Sequence, residues 1–277
     1  MSHPLERPAS VTEGSLHARR NGRGPCLVVL HGLFGDGDNF HSVSLHLGRH
    51  LEVVRVDLPG HGRSPTLPRL GIEDMAAHVR DWLAAEGIER CHLLGHSLGG
   101  KVAMALAGTE DGPDLSSLVV VDIAPRHYPP HHAPIIAAMQ AIDLDTLDER
   151  READRRLRDG VPDAGVRAFL LKSLARGTDG RFAWKFDLDG IARDYPLLCE
   201  APRVARTIEV PTLFIKGGES DYLGPDDETP IRGICRHPTL REIAGAGHWL
   251  HAEKPALFTR VCLDFVSASG SGPAHAS

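Results

Sequence analysis

Ser97 stands between Gly95 and Gly99 in the stretch HLLGHSLGGKVAMALA (92–107), where an apolar run gives way at once to an alanine-rich helical pattern. Roughly 0.1–0.2 matches to Gly-x-Ser-x-Gly would arise by chance in a chain of this length and average composition. The setting adds weight, because a serine at a tight turn from buried strand to buried helix is lifted clear of the sheet. The flanking glycines have a steric reason there, since any Cβ would collide with the neighbouring strand and helix. A serine hydroxyl is a weak nucleophile at neutral pH. It needs a base to take its proton, a carboxylate to orient that base, and donors for the oxyanion that forms on attack.

Each helper has a candidate. GAGHWLHAEKP (245–255) offers His248 as the base, with His251 three residues on as its rival. VVLHGLFG (28–35) follows an early apolar run; its His31-Gly32 pair allows a tight turn, and the Leu33 N–H can face a substrate oxygen. The Leu98 N–H, just after the serine, would be the second donor. His31, like His61 in DLPGHGRS (57–64), reads as a structural hydrogen-bonding group. For the acid there are two answers. Asp221 in FIKGGESDYL (214–223) lies just past an apolar run and 27 residues before His248, in the chain order Ser, Asp, His. Asp122 closes LVVVD (118–122), 25 residues after Ser97. Spacing alone favours Asp221.

The elements that must position these groups are legible as short apolar runs. They are CLVVLHG (26–32), LEVVRVDLPG (51–60), CHLLGH (91–96), LVVVDIAP (118–125), PTLFIKGG (211–218) and TLREIAGAG (239–247). None alternates strictly, as expected of strands buried on both faces. Helical patterns separate most of them. In 72–87, Ile72, Met75, Ala76, Val79, Trp82 and Leu83 share one face, with Gly87 as the stop. In 253–268, Leu257, Val261 and Phe265 recur at helical spacing. The expectation is an α/β fold: a mostly parallel, doubly wound sheet with its functional groups beyond the carboxyl ends of the strands. Between 126 and 206 the alternation stops. This segment shows helical patterns and no convincing strand, and is expected to be a helical cap over the site. The core is then 1–125 with 207–268, and the small, polar tail 269–277 is expected to be disordered.

The 277 residues suffice for one large domain. A formal net charge of −6 argues against nucleic acid as a partner. No run approaches the ~20 apolar residues of a membrane span, and the polar N-terminus does not read as a secretory signal. The five cysteines (Cys26, Cys91, Cys199, Cys235, Cys262) are scattered and form no CxxC pair. They read as reduced thiols of a cytoplasmic protein.

Taken together, LHGLFGDGDNF, DLPGHGRS, GHSLGGKVAMALA, VVVDIAP, FLLKSL with FAWKFDL, and AGAGHWLHAEKP resemble the α/β-hydrolase superfamily. More narrowly, they are similar to the YbfF-type esterases and the α/β-hydrolase-domain 11 proteins, over roughly residues 16–267. The resemblance implies a carboxylesterase with a helical cap and no cofactor, acting on small-molecule acyl esters. It also implies that the acid follows the strand after the nucleophile's, which is Asp122. The acid therefore stays open between Asp122 and Asp221. Phe34, Tyr128, Phe182, Trp184 and Trp249 are expected to line the substrate pocket. The competing readings are a thioesterase or carbon–carbon bond hydrolase with the same groups, and a non-catalytic binding protein on this scaffold. A metal site from His127, His131 and His132 is a further alternative, but no carboxylate or cysteine lies near them in sequence, so no metal is expected.

Overall fold

The computed structural model describes residues 7–8, 15–177 and 179–269; the tail expected to be disordered lies outside these from residue 270 onward. Ten strands are described: β1 (Arg7–Pro8), β2 (Ala18–Gly22), β3 (Cys26–Leu30), β4 (Glu52–Val56), β5 (Arg90–His96), β6 (Asp114–Val121), β7 (Leu174–Arg176), β8 (Phe182–Trp184), β9 (Thr212–Gly217) and β10 (Pro238–Ile243). Eight form one sheet in the order β1-β2-β4-β3-β5-β6-β9-β10. From β4 to β10 all pairings are parallel; β1 and β2 join antiparallel at one edge. Each of the six apolar runs forms one of the parallel strands, and the α/β, mostly parallel, doubly wound expectation holds. β2, with the sequence ARRNG, went unforeseen because it is short and polar and lies near the sheet's margin.

Helices cover both faces. On one side lie α1 (His41–Leu47) and α10 (Pro255–Ser269), closing a core of Phe40, Val43, Leu47, Phe258, Cys262 and Val266 over the sheet; the short α8 (Glu228–Ile234) and α9 (Leu250–Glu253) precede α10 in the chain. The opposite side carries α2 (Ile72–Ala85) and α3 (Leu98–Ala107). In α2 the buried residues are the six read from the sequence, and Gly87 takes the left-handed φ of 66° that ends the helix. In α10 the expected face is rotated by one residue. Phe258, Cys262 and Val266 are fully buried, while Leu257, Val261 and Phe265 flank them. Both rows have an i, i+4 spacing, so periodicity alone could not choose between them.

Between β6 and β9 run α4 (Ala133–Gln140), α5 (Arg150–Leu157), α6 (Ala164–Lys172) and α7 (Leu188–Cys199), with β7 and β8 paired as a small antiparallel hairpin. That hairpin corrects the expectation of a segment without strands. At three residues each, its strands are too short to show a two-residue alternation. α6 stops at Lys172, and Leu174 already belongs to β7.

A buried cation ties this segment to the sheet side. Lys101 on α3 is 3% exposed. Its Nζ donates to the carbonyls of Leu198, Cys199 and Glu200 at 3.1, 3.0 and 2.7 Å, capping the C-terminal end of α7. Burial pushes its pKa down to about 8. Lys101→Met is expected to take this donor from all three carbonyls, of which Cys199 keeps the Tyr128 N–H at 2.9 Å, and to cost about 3 kcal/mol. Thermal melting should register this as a fall in Tm of about 6–12 °C. Among the described residues no helix is long and apolar enough to cross a membrane.

Candidate active site

β5 ends at His96, and Ser97 follows at φ 53°, ψ −118°, a conformation non-glycine residues rarely adopt. Its N–H is held by the Val121 carbonyl of β6 at 2.9 Å, and its own carbonyl accepts from Gly100 and Lys101 in α3. The two glycines each prevent a different collision. A Cβ on Gly95 would sit 2.1 Å from the Gly99 carbonyl oxygen, and one on Gly99 would sit 2.4 Å from that of Leu30 on β3. Helix and strands are pressed together around the serine, whose side chain opens into a cavity of about 260 Å³.

His248 lines the same cavity. Its Nδ1–H donates to Asp122 Oδ2 at 2.7 Å, leaving Nε2 free to act as an acceptor. Asp122 follows the last residue of β6 in a left-handed conformation (φ 52°), which aspartate tolerates better than most residues. Its carboxylate is fully buried and well supplied with donors: Gly217 N–H reaches Oδ1 at 2.9 Å, and the Ser220 hydroxyl makes a short bond to Oδ2. Asp221 is exposed and stays off the imidazole, whose Nδ1 Asp122 takes. The structure thus gathers Ser97, Asp122 and His248 past the carboxyl ends of β5, β6 and β10 and leaves Asp221 outside.

His251 is not placed as a rival base. Its ring is stacked on Phe40 at 4.2 Å and 13°, and burial drops its pKa to about 3. His96, which sequence reading passed over, packs its ring 4.7 Å from that of His248 and donates from Nε2 to the His248 carbonyl at 2.9 Å. Burial first, then the neighbouring His248 and His251, hold its pKa well below the ordinary value. It therefore braces the backbone of His248 as a neutral ring. The signal was present in the sequence, since His96 is the x of Gly-x-Ser. His31 is likewise structural: Leu58 N–H donates to its Nε2 at 2.9 Å and its Nδ1–H donates to Gly32 O at 2.8 Å.

The loop after β3 supplies the opposite wall. Gly35 N–H bonds back to Gly32 O at 3.1 Å, closing a turn with Leu33 and Phe34 at its centre. The left-handed residue of that turn is Phe34 (φ 63°). Gly32 is needed for closeness instead, because a Cβ there would lie 3.3 Å from Ser97 Cβ. The turn's closing bond uses the Gly35 donor and leaves the Leu33 N–H outside it. Leu98 opens α3, so its N–H has no acceptor within the helix. Both Leu33 and Leu98 border Ser97, and the arrangement can receive an oxyanion.

Phe34 and Trp249 line the main cavity, and Tyr128 lines a smaller hollow beside Ser97. Phe182 and Trp184 do not reach either, which corrects their placement. The Arg176 guanidinium covers Phe182, and Trp184 stacks on Phe186, which in turn packs against Phe34. The missing wall comes from α4 and α6, through Ile135, Val166, Phe169 and Leu170. A second hollow of about 550 Å³ shares Asn39, Phe169, Trp249 and His251 with the first, and the Phe169 and Trp249 rings meet at 5.1 Å on that common wall. His127 lies 3.6 Å from Glu200, whereas His131 and His132 turn to Tyr222. Among the described residues no three His, Cys, Asp or Glu side chains are grouped to hold a metal ion.

The chain matches the model of an alpha/beta hydrolase family over residues 27–261. It is 36% identical over 252 residues to the sn-1-specific diacylglycerol lipase ABHD11 of Mus musculus, covering 88% of this chain and 81% of that one. It is 34% identical over 230 residues to the esterase YbfF of Escherichia coli strain K12, covering 83% and 88%. Among solved structures, a marine microorganism esterase superposes with a TM-score of 0.86 at 35% identity, over 91% of this chain and 99% of that one. The resemblance drawn from the motifs is borne out at the level of the family.

Proposed function

This chain belongs to the alpha/beta hydrolase family, and on that premise we propose that it is a serine carboxylesterase acting on small to medium acyl esters through an acyl-enzyme. The observation that carries the reading is the His248–Asp122 bond of 2.7 Å, in the wall of a cavity that also holds Ser97. Ser97 attacks the ester carbonyl while His248 Nε2 takes its proton. The N–H groups of Leu33 and Leu98 hold the oxyanion. His248 then protonates the departing alcohol, and a water repeats the sequence to release the acid. Asp122 fixes the imidazole tautomer and stabilises the imidazolium. The segment 126–206 serves as a cap, because α4 and α6 supply much of the apolar wall.

That wall favours an acyl chain over a charged group. Each methylene buried adds about 0.8 kcal/mol, or about fourfold in kcat/KM, until the cavity is full. A series of p-nitrophenyl esters from acetate to palmitate should therefore show kcat/KM climbing over the first members and falling for the longest. A flat series, or no release of nitrophenol from any member, would sink the reading.

A further inference from the structure

The mechanism above uses one contact to hold its base. The bond at Nδ1 fixes one edge of the imidazole, and the tilted His96 ring, 4.7 Å away at 42°, packs beside it without lying flat on its face. A further constraint comes from a residue the mechanism does not use. The ring of Tyr222 lies face to face with that of His248, with centroids 4.0 Å apart and planes at 22°.

Tyr222 is itself held from several sides. Its hydroxyl lies 2.8 Å from His131 Nε2 and 3.1 Å from His132 Nε2. His132 is in turn fixed by the Tyr195 hydroxyl of α7, which contacts its Nδ1 and accepts its backbone N–H, both at 2.9 Å. Neutral imidazoles satisfy this chain, with the phenol donating to one and accepting from the other. Burial accordingly pushes the His132 pKa down to about 3. At the backbone, Tyr222 N–H donates to Ser220 Oγ at 3.3 Å, and the Tyr128 hydroxyl donates to the Tyr222 carbonyl. The Tyr128 ring stacks near it at 5.8 Å and 30°. Ser220 is also the hydroxyl on Asp122, so one short loop braces both the carboxylate and the face of the imidazole.

We infer that Tyr222 is a positioning residue for His248: its ring keeps the imidazole plane fixed on Asp122 and attracts the imidazolium that forms when Ser97 gives up its proton. The inference rests on the proposed role of His248. Because Tyr222 also borders the cavity, a role as mere wall must be separated from a role in positioning, and the two move different constants.

The test is steady-state hydrolysis of a p-nitrophenyl ester by Tyr222→Leu and Tyr222→Phe. Thermal melting checks the fold, and Ser97→Ala runs beside them. Leucine is expected to lower kcat about tenfold with KM within about threefold, and to slow fluorophosphonate labelling of Ser97 in parallel. Phenylalanine keeps the stacked face and should stay within about threefold of the parent in kcat. If leucine does not fold, Tyr222→Met fills the volume without an aromatic face and carries the same expectation. A rise in KM with kcat intact would make Tyr222 only a wall and overturn the inference. So would phenylalanine losing as much kcat as leucine. Retained hydrolysis in Ser97→Ala would instead overturn the esterase mechanism, and the inference with it.

Discussion

Replacing Ser97 with alanine is expected to lower ester hydrolysis by on the order of a millionfold and to abolish labelling by a fluorophosphonate. The physical argument is that no other group can take over. The nearby imidazoles are buried and neutral: His96 packs against His248, and His251 is sandwiched on Phe40. The cysteines are a poor substitute as well. Cys91 is pushed up to about 12 by burial, and Cys26 and Cys235 to about 11, so none is a thiolate near neutral pH. The alanine should cost little in folding, because the strained turn is set by its surroundings and the serine hydroxyl caps nothing in α3. Unchanged thermal melting together with lost turnover is the expected pair. Persistent turnover would remove Ser97 from the chemistry altogether.

Asparagine at position 122 is expected to cost about ten-thousandfold in kcat, and asparagine at 221 almost nothing. The fold should tolerate Asp122→Asn, since its Oδ1 can still accept from Gly217 N–H. The amide nitrogen, however, would then face both Ser220 Oγ and His248 Nδ1, where two donors now point at a carboxylate. To avoid a donor–donor clash the imidazole must move its proton to Nε2, so the nitrogen that faces the serine carries a hydrogen and cannot accept another. Asp221 is exposed and should give only a small change. Purified variants compared on one ester decide the matter. Equal, modest losses at both positions would refute the arrangement.

Much of this site was legible because it is local. Gly-x-Ser-x-Gly announces a close packing of helix on strand, and the 2.1 and 2.4 Å approaches at Gly95 and Gly99 are that packing. The parallel strands were equally plain, since strands buried on both faces must be apolar throughout. Which of the two carboxylates meets His248 was not legible from spacing. Asp122 and Asp221 both follow a strand, and what separates them is direction. A left-handed φ at Asp122 turns its carboxylate inward beneath Gly217 and Ser220, whereas Asp221 turns to solvent. Backbone handedness at one non-glycine residue leaves no composition or period to read. The pocket walls failed for a related reason. Large aromatics attract attention, yet Phe182 and Trp184 spend their faces on Arg176 and Phe186, and smaller residues of α4 and α6 make the wall. Tyr222 sat one residue beyond Asp221, unremarked, because stacking across the sheet's end cannot be seen along the chain.

The position of the carboxylate also sets a timetable. Ser97 and Asp122 are 25 residues apart, on neighbouring strands, while His248 follows Asp122 by 126 residues. At a synthesis rate of ~5–20 residues per second, Ser97 and Asp122 leave the ribosome within about 1–5 seconds of each other, and His248 follows about 6–25 seconds later. Under the proposed mechanism the growing chain then carries Ser97 without the base that would deprotonate it. On that mechanism hydrolytic capacity arrives only with the last strand and helix, when the sheet is complete.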